Sequence, residues 1–236
     1  MNEIKLTWYG RCCFLIEINN KKFLTDPHDS FDGVDMGQVE SDYTLISSTW
    51  HDHGHIGAAP KSIVISEPGV TQIDDITITG IVTKETRGTK NVIFNIKVGN
   101  FSISNFADLG HLESMQQLSP EDFEIINSTN VAMIRPNPTK LEFDFSCGEL
   151  ALQFCQPKII IPHHFYPEKF SSRVKAPTGD YLVWVDKMIE KLAYKKQIIN
   201  GYSMELDLDD YSEKTALLFD DIHPQVSCNG KNSSGD

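Results

Sequence analysis

YTLISSTWHDHGHIG, residues 43–57, changes character at its midpoint: an apolar run gives way to Trp50, then to three histidines and an aspartate between His51 and His55. A short apolar run bounded by polar residues is the pattern of a buried strand. The imidazoles and the carboxylate therefore follow directly on a strand's carboxyl end. Two other segments repeat the arrangement: FSISNFADLGH (101–111) carries Asp108 and His111 past its apolar part, and KIIIPHH (158–164) closes on His163 and His164. The backbone at a strand end is fixed while its side chains reach solvent, so rigid scaffolds present working groups there. Imidazole and carboxylate from three separate loops suit zinc, iron or manganese.

Around these segments the chain reads as short strands with few helices. KLTWYG, CCFLIEI and KKFLTD are strands, with Asn19-Asn20 turning a tight hairpin between the second and third. YTLIS and KSIVIS (61–66) are apolar enough to be buried strands; DITITGIV, NVIFNIKV and FSISNFAD form a meander; NVAMIR and KIIIPHH are later strands. Helices are expected around 117–124, from Cys147 to Gln153 and over 179–197, the last with apolar residues at helical spacing and a basic end. At 236 residues, 40% hydrophobic and 23% charged, the chain is large enough for one substantial core. A single domain over 1–226 is expected, with 227–236 (SCNGKNSSGD) a disordered tail that has nothing to bury.

A net charge of −12 argues against partners bound through phosphates, whether nucleic acid or an anionic membrane. The opening MNEIKLTWYG has neither a signal-peptide pattern nor a membrane span, so the protein is expected to be cytoplasmic and to act on a small molecule. Five cysteines at irregular spacing, without a CxxC pair, describe reduced buried thiols and not a disulfide framework or structural zinc.

The segments TWYGRCCFLIE, LTDP, SDYTLISSTWHDHG, RGTKNVIF, NFADLGH and PKIIIPHHF, in this order over about residues 4 to 166, resemble the metallo-β-lactamase-fold hydrolases. The likeness is to their branch of small bacterial and archaeal proteins related to ascorbate-phosphate lactonases. It implies an α/β protein built as a four-layer αββα sandwich, with a metal site along one edge between the sheets. The family signature H-x-H-x-D-H falls without a gap on Ser48, Thr49, Trp50, His51, Asp52 and His53. By that alignment the three ligands of the first metal are replaced by Ser48, Trp50 and Asn105. The ligands of the second remain as Asp52, His53, Asp108 and His164.

The resemblance thus implies one divalent ion at most, zinc first, with manganese, iron or no metal as alternatives. Trp50 is expected to fill the vacated first site. Two histidines usual in the family are replaced by cations here, Arg11 and Lys84, which are expected to supply the positive charge lost with the first metal. With Asp52, His51 and His163 are the candidate catalytic groups, as proton carriers if they face the pocket. Asp26 matches a position that braces the site from behind. The expected function is a mononuclear metal-dependent hydrolase of a small ester, lactone, phosphoester or amide. The alternatives are a metal-free descendant that binds a small molecule or protein through the old cleft, and a metal enzyme of non-hydrolytic biosynthetic chemistry. A homo-oligomer or a pairing with a more complete paralogue is compatible with the letters.

Overall fold

A computed structural model of the chain describes residues 3–30, 32–136, 147–170, 172 and 179–228. Its strands are β1 (Ile4–Trp8), β2 (Phe14–Ile18), β3 (Lys21–Thr25), β4 (Val34–Asp35), β5 (Tyr43–Leu45), β6 (Ile63–Ile65), β7 (Gly69–Ile73) and β8 (Ile76–Lys84). They continue with β9 (Lys90–Val98), β10 (Phe101–Asn105), β11 (Val131–Ile134), β12 (Ile159–Pro162), β13 (Lys195–Ile199), β14 (Ser203–Glu205), β15 (Thr215–Phe219) and β16 (Ser227–Cys228). The helices are α1 (Leu112–Gln116), α2 (Pro120–Asn127), α3 (Cys147–Ala151) and α4 (Gly179–Lys191). No helix among the described residues is long and apolar enough to cross a membrane.

Two sheets carry the fold. One runs β14-β1-β2-β3-β5-β6 and the other β13-β15-β12-β11-β10-β9-β8-β7, while β4 and β16 form a small separate pair. The β2–β3 hairpin turns on Asn19 and Asn20, at φ 48° and 65°, the left-handed pair that a two-residue hairpin requires and asparagine tolerates. One contiguous apolar core joins side chains of both sheets, among them Trp8, Phe14 and Phe23 of the first and Phe94, Ile103 and Ile161 of the second. The expected α/β sandwich is the observed architecture.

The strand directions fix where the site lies. β1 is antiparallel to β2 and β2 to β3, so β1 and β3 point the same way, and β5 runs parallel to β3. In the other sheet β10, β11 and β12 are parallel. The carboxyl ends of β1, β3 and β5 therefore share one edge of their sheet, and those of β10, β11 and β12 share one edge of theirs. Ligand crevices form outside such ends.

Several local expectations are corrected. KSIVIS forms β6, but at the end of its sheet, where Ile63 is 61% exposed. The 179–197 helix stops at Lys191, because Ala193 turns into the left-handed region at φ 54° and KKQII then pairs with β15 as β13. Apolar spacing alone did not distinguish that edge strand from a last helical turn. β7, β14 and β15 lie outside the expected strands; β15 is buried throughout. Ser227 and Cys228 pair with Asp35 and Val34, while 229–236, including the remainder of the expected tail, fall outside the described residues.

Candidate metal centre

Each strand end delivers one or two polar side chains to a common point. β1 is followed by Arg11 and Cys12, β3 by Asp26, β5 by Asp52 and His53, β10 by Asp108, β11 by Arg135 and β12 by His164. The backbone is bent sharply to aim them: Arg11, Asp26, Ala107 and His164 all have positive φ, at 48°, 43°, 49° and 72°. Non-glycine residues in this region carry strain that the surrounding structure must hold in place, and such residues concentrate at functional sites. Two backbone hydrogen bonds clamp the first and last of these turns together, Arg11 N–H to the Phe165 carbonyl at 3.0 Å and His164 N–H to the Arg11 carbonyl at 3.0 Å. Gly10, at φ 94°, makes the approach possible: a Cβ there would lie 2.6 Å from Tyr166 Cε1.

His53 is the best-oriented of the imidazoles. It is fully buried, with Nδ1 3.2 Å from Ser47 Oγ and 3.5 Å from Asp26 Oδ2. Asp26 is itself fixed, accepting from Ser47 N–H and from Asn105 Nδ2, each at 2.8 Å. A carboxylate behind a histidine sets its tautomer and presents the other nitrogen to the front. That nitrogen, Nε2, stands 3.4 Å from Asp108 Oδ2, 3.8 Å from Asp52 Oδ1 and 3.9 Å from Cys12 Sγ. His164 Nε2 lies 3.3 Å from both Asp108 Oδ1 and Asp52 Oδ2.

These spacings fit a divalent ion. Donors about 2.0–2.3 Å from a single tetrahedral ion stand roughly 3.3–3.8 Å from one another. Donor atoms of Cys12, His53, Asp108 and His164 all lie within 4.8 Å of one another, and all four residues are buried. Asp108 Oδ1 is buried and, among the described residues, accepts no hydrogen bond.

The site also holds its own cations. Arg11, 9% exposed, bonds Asp32 Oδ2 at 2.7 Å and Asp52 Oδ2 at close range. Arg135 Nη1 bonds Asp108 Oδ2 at 2.9 Å. Burial opposes ionisation of both aspartates. It is outweighed at Asp52 by His164, His53 and Arg11, and at Asp108 by Arg135, His164 and His53, so both carboxyls titrate below the usual carboxylate range. His53 titrates well above an ordinary imidazole, because Cys12, Asp108 and Asp26 outweigh its burial. His164 moves the other way, to about 4, through burial and, despite Asp108, the nearby Arg135 and Arg11. Burial raises the Cys12 thiol to about 11. At neutral pH His164 is thus a neutral donor, whereas His53 and Cys12 must each give up a proton to ligate.

In front of the cluster opens a cavity of about 440 Å³ lined by Arg11, Trp50, His51, Asp52, Glu85, Thr86, Arg87, Asp108, Arg135 and His164. Of the residues singled out in the sequence, it gathers Arg11, Trp50, His51, Asp52, Asp108 and His164, with His53 directly behind. Trp50 does not fill a vacated site. It is 41% exposed and donates from Nε1 to Glu85 Oε1 at 2.8 Å, with the Arg87 guanidinium 5.7 Å from its ring. Asn105 is buried and spent on Asp26 and, at 3.0 Å, the Ala107 N–H. Ser48 lines a neighbouring cleft instead. Lys84 is exposed at the end of β8 and outside the cavity lining; the cation beside Asp108 is Arg135. His163 is fully buried and also outside the lining, so the condition set for a proton carrier is met by His51 alone of the two.

Cys12 and Arg135 were missed. Both carry the signal used for the others, a ligand-type or charged residue just past the carboxyl end of a strand.

Residues 5–164 match the family model described as the beta-lactamase superfamily domain. A UPF0173 protein of Pyrococcus furiosus is 25% identical over 205 residues, covering 77% of this chain and 94% of its own length. A proposed Zn-dependent hydrolase of the metallo-β-lactamase superfamily from Thermotoga maritima superposes with a TM-score of 0.66 at 22% identity, over 93% of this chain and 100% of that one. Igni18, a metallo hydrolase of the archaeon Ignicoccus hospitalis, gives a TM-score of 0.58 at 14% identity, over 87% and 99% of the two chains.

Proposed function

Because the chain belongs to the metallo-β-lactamase superfamily, we propose that it is a hydrolase of a small ester, lactone, phosphoester or amide that works with a single divalent ion, zinc before manganese or iron. The observation that carries this reading is the convergence of His53 Nε2, the Asp108 carboxylate and His164 Nε2 at ligand spacing behind one cavity. The positions of the family's first site give it no support, since Asn105 is bonded to Asp26 and Trp50 to Glu85.

A divalent ion held by these residues supplies a Lewis acid that polarises a carbonyl or phosphoryl oxygen and makes water more acidic. The chain's own groups do the rest. Asp26 keeps the His53 ring turned so that Nε2 faces the cavity side. Arg11 fixes the orientation of Asp52 and keeps its carboxylate ionised at the cavity wall. His51, about one-third exposed as a side chain and in the lining, carries protons between the cavity and bulk water. Arg11, Arg87 and Arg135 offset the carboxylates of Asp52, Glu85 and Asp108 in the lining, so the cavity does not share the chain's negative charge, and Arg87 and Arg135 orient the substrate's polarised or anionic oxygens.

The test is elemental mass spectrometry on protein purified without added metal or chelator, for the parent and Asp108→Ala/His164→Ala. It is followed by a screen of esters, lactones, phosphoesters and amides with and without chelator. About one ion per chain in the parent, lost in the double variant, with chelator-sensitive turnover, is the expected result. A parent that takes up no ion overturns the reading.

One observation favours a second reading, a metal-free protein that binds a small anion in the cleft. Arg11 and Arg135 already balance Asp52, Asp32 and Asp108 in part, so the carboxylates are not bare without metal. Binding of an anionic ligand by a metal-free parent, abolished by Arg135→Ala, would support it.

A further inference from the structure

We propose that the Cys12 thiolate, and not Asp52, is the fourth ligand of the ion, giving a Cys-His-Asp-His site selective for soft divalent metals. The inference rests on the single-ion reading above.

The geometry separates the two candidates. Cys12 is fully buried at the turn after β1, with Sγ 3.9 Å from His53 Nε2 and within 4.8 Å of a donor atom on each of His53, Asp108 and His164. Asp52 comes close to both histidines, but its Oδ2 is bonded to Arg11. Arg11 is buried between Asp52 and Asp32, and ligation through Asp52 Oδ2, the oxygen 3.3 Å from His164 Nε2, would break one of two bonds to a buried guanidinium, which is costly. Ligation by Cys12 leaves that pair intact. The charges also close: a thiolate and the Asp108 carboxylate neutralise one divalent ion, Asp52 stays with Arg11, and the protons of the Cys12 thiol and of His53 are released to solvent on binding. Thiolate is a soft ligand that favours zinc and cobalt over manganese and magnesium, which oxygen-only sites accept.

The experiment is Co(II) and Zn(II) titration of metal-stripped parent, Cys12→Ser and Cys147→Ser. Cys147 is the control because it is buried near Arg135 and Asp108. The readouts are the near-ultraviolet sulfur-to-cobalt charge-transfer band and competition against a chromophoric chelator. The expected result is a band in the parent and in Cys147→Ser that vanishes in Cys12→Ser. Zinc affinity should fall about 100-fold or more, since even residues behind a ligand are worth about 10–100-fold, while manganese affinity falls far less. If Cys12→Ser does not fold, zinc-edge X-ray absorption of Cys147→Ser decides, with one sulfur at about 2.3 Å expected. Bound cobalt without the band, or a band that survives in Cys12→Ser, overturns the thiolate ligand and leaves the single-ion reading standing. A parent that binds neither metal overturns both.

Discussion

Replacing Arg11 by alanine tests whether protein cations stand where a second ion would. The guanidinium is 10% exposed and its partners Asp32 and Asp52 are each 13% exposed. Removing one member of a buried pair costs about 3–5 kcal/mol; some water reaches all three groups, so the low end, about 3 kcal/mol, applies. The backbone bonds of residue 11 to Phe165 and His164 do not depend on its side chain, and both residue types bear the same left-handed φ, so the comparison isolates the charge. In a chain of this size about 3 kcal/mol corresponds to a melting temperature roughly 6–12 °C lower. The assay is urea and thermal unfolding at neutral pH, after chelator treatment and with saturating zinc. At 100 times Kd an ion adds about 2.7 kcal/mol to the parent. It should add more to Arg11→Ala, where Asp52 is released from its partner and free to face the ion. Lys84→Ala, exposed at the end of β8, should stay within about 0.5 kcal/mol of the parent in both conditions. Metal-free Arg11→Ala within about 0.5 kcal/mol of the parent, or equal zinc stabilisation of both, would refute the reasoning.

Acid should destabilise the metal-free protein well above the carboxylate range. His164 titrates at about 4, below its unfolded value of about 6.5, so the unfolded chain takes up the proton first and stability falls as pH drops between them. That amounts to about 3 kcal/mol by pH about 4.5. The raised His53 contributes in full throughout this window and does not offset the loss. Urea midpoints at about pH 7 and about pH 4.5 measure it, and His164→Gln should remove this share of the difference, leaving that of His163 and His28, which burial also lowers. Asp108→Asn keeps the shape of the side chain but removes the charge shared by Arg135 and both histidines; bound metal should fall at least about tenfold, read by elemental mass spectrometry. Gly10→Ala meets Tyr166 at 2.6 Å with φ 94° and should cost about 2–3 kcal/mol. Gly88→Ala, at φ 84° with nothing within 4 Å, should cost only about 1 kcal/mol; similar unfolding midpoints for the two would contradict the packing argument.

What the letters disclosed and what they hid follow from how the site is made. Strands announce themselves by apolar runs, so a ligand-type residue just past such a run can be read locally: Asp52 and His53 after β5, Asp108 after β10, His164 after β12. Residues whose role depends on a partner from another strand cannot. Asn105 reads as a lost ligand, yet it holds Asp26, which orients His53, so its side chain is part of the scaffold of the candidate centre. Lys84 and Arg135 are both cations at strand ends, and only the placement of β11 beside β10 and β12 gives Asp108 to the second. Cys12 looks like any buried strand thiol until β1 and β5 are seen to open on the same edge, with His53 facing it. The candidate centre thus carries a dense pattern of charge. Two arginines and a protonated His53 hold the carboxylates together without metal, and any ion that binds must displace the His53 proton. The same groups that hold the carboxylates together therefore compete with an ion for them, and lowering the pH, which protonates the ligands, should weaken metal binding.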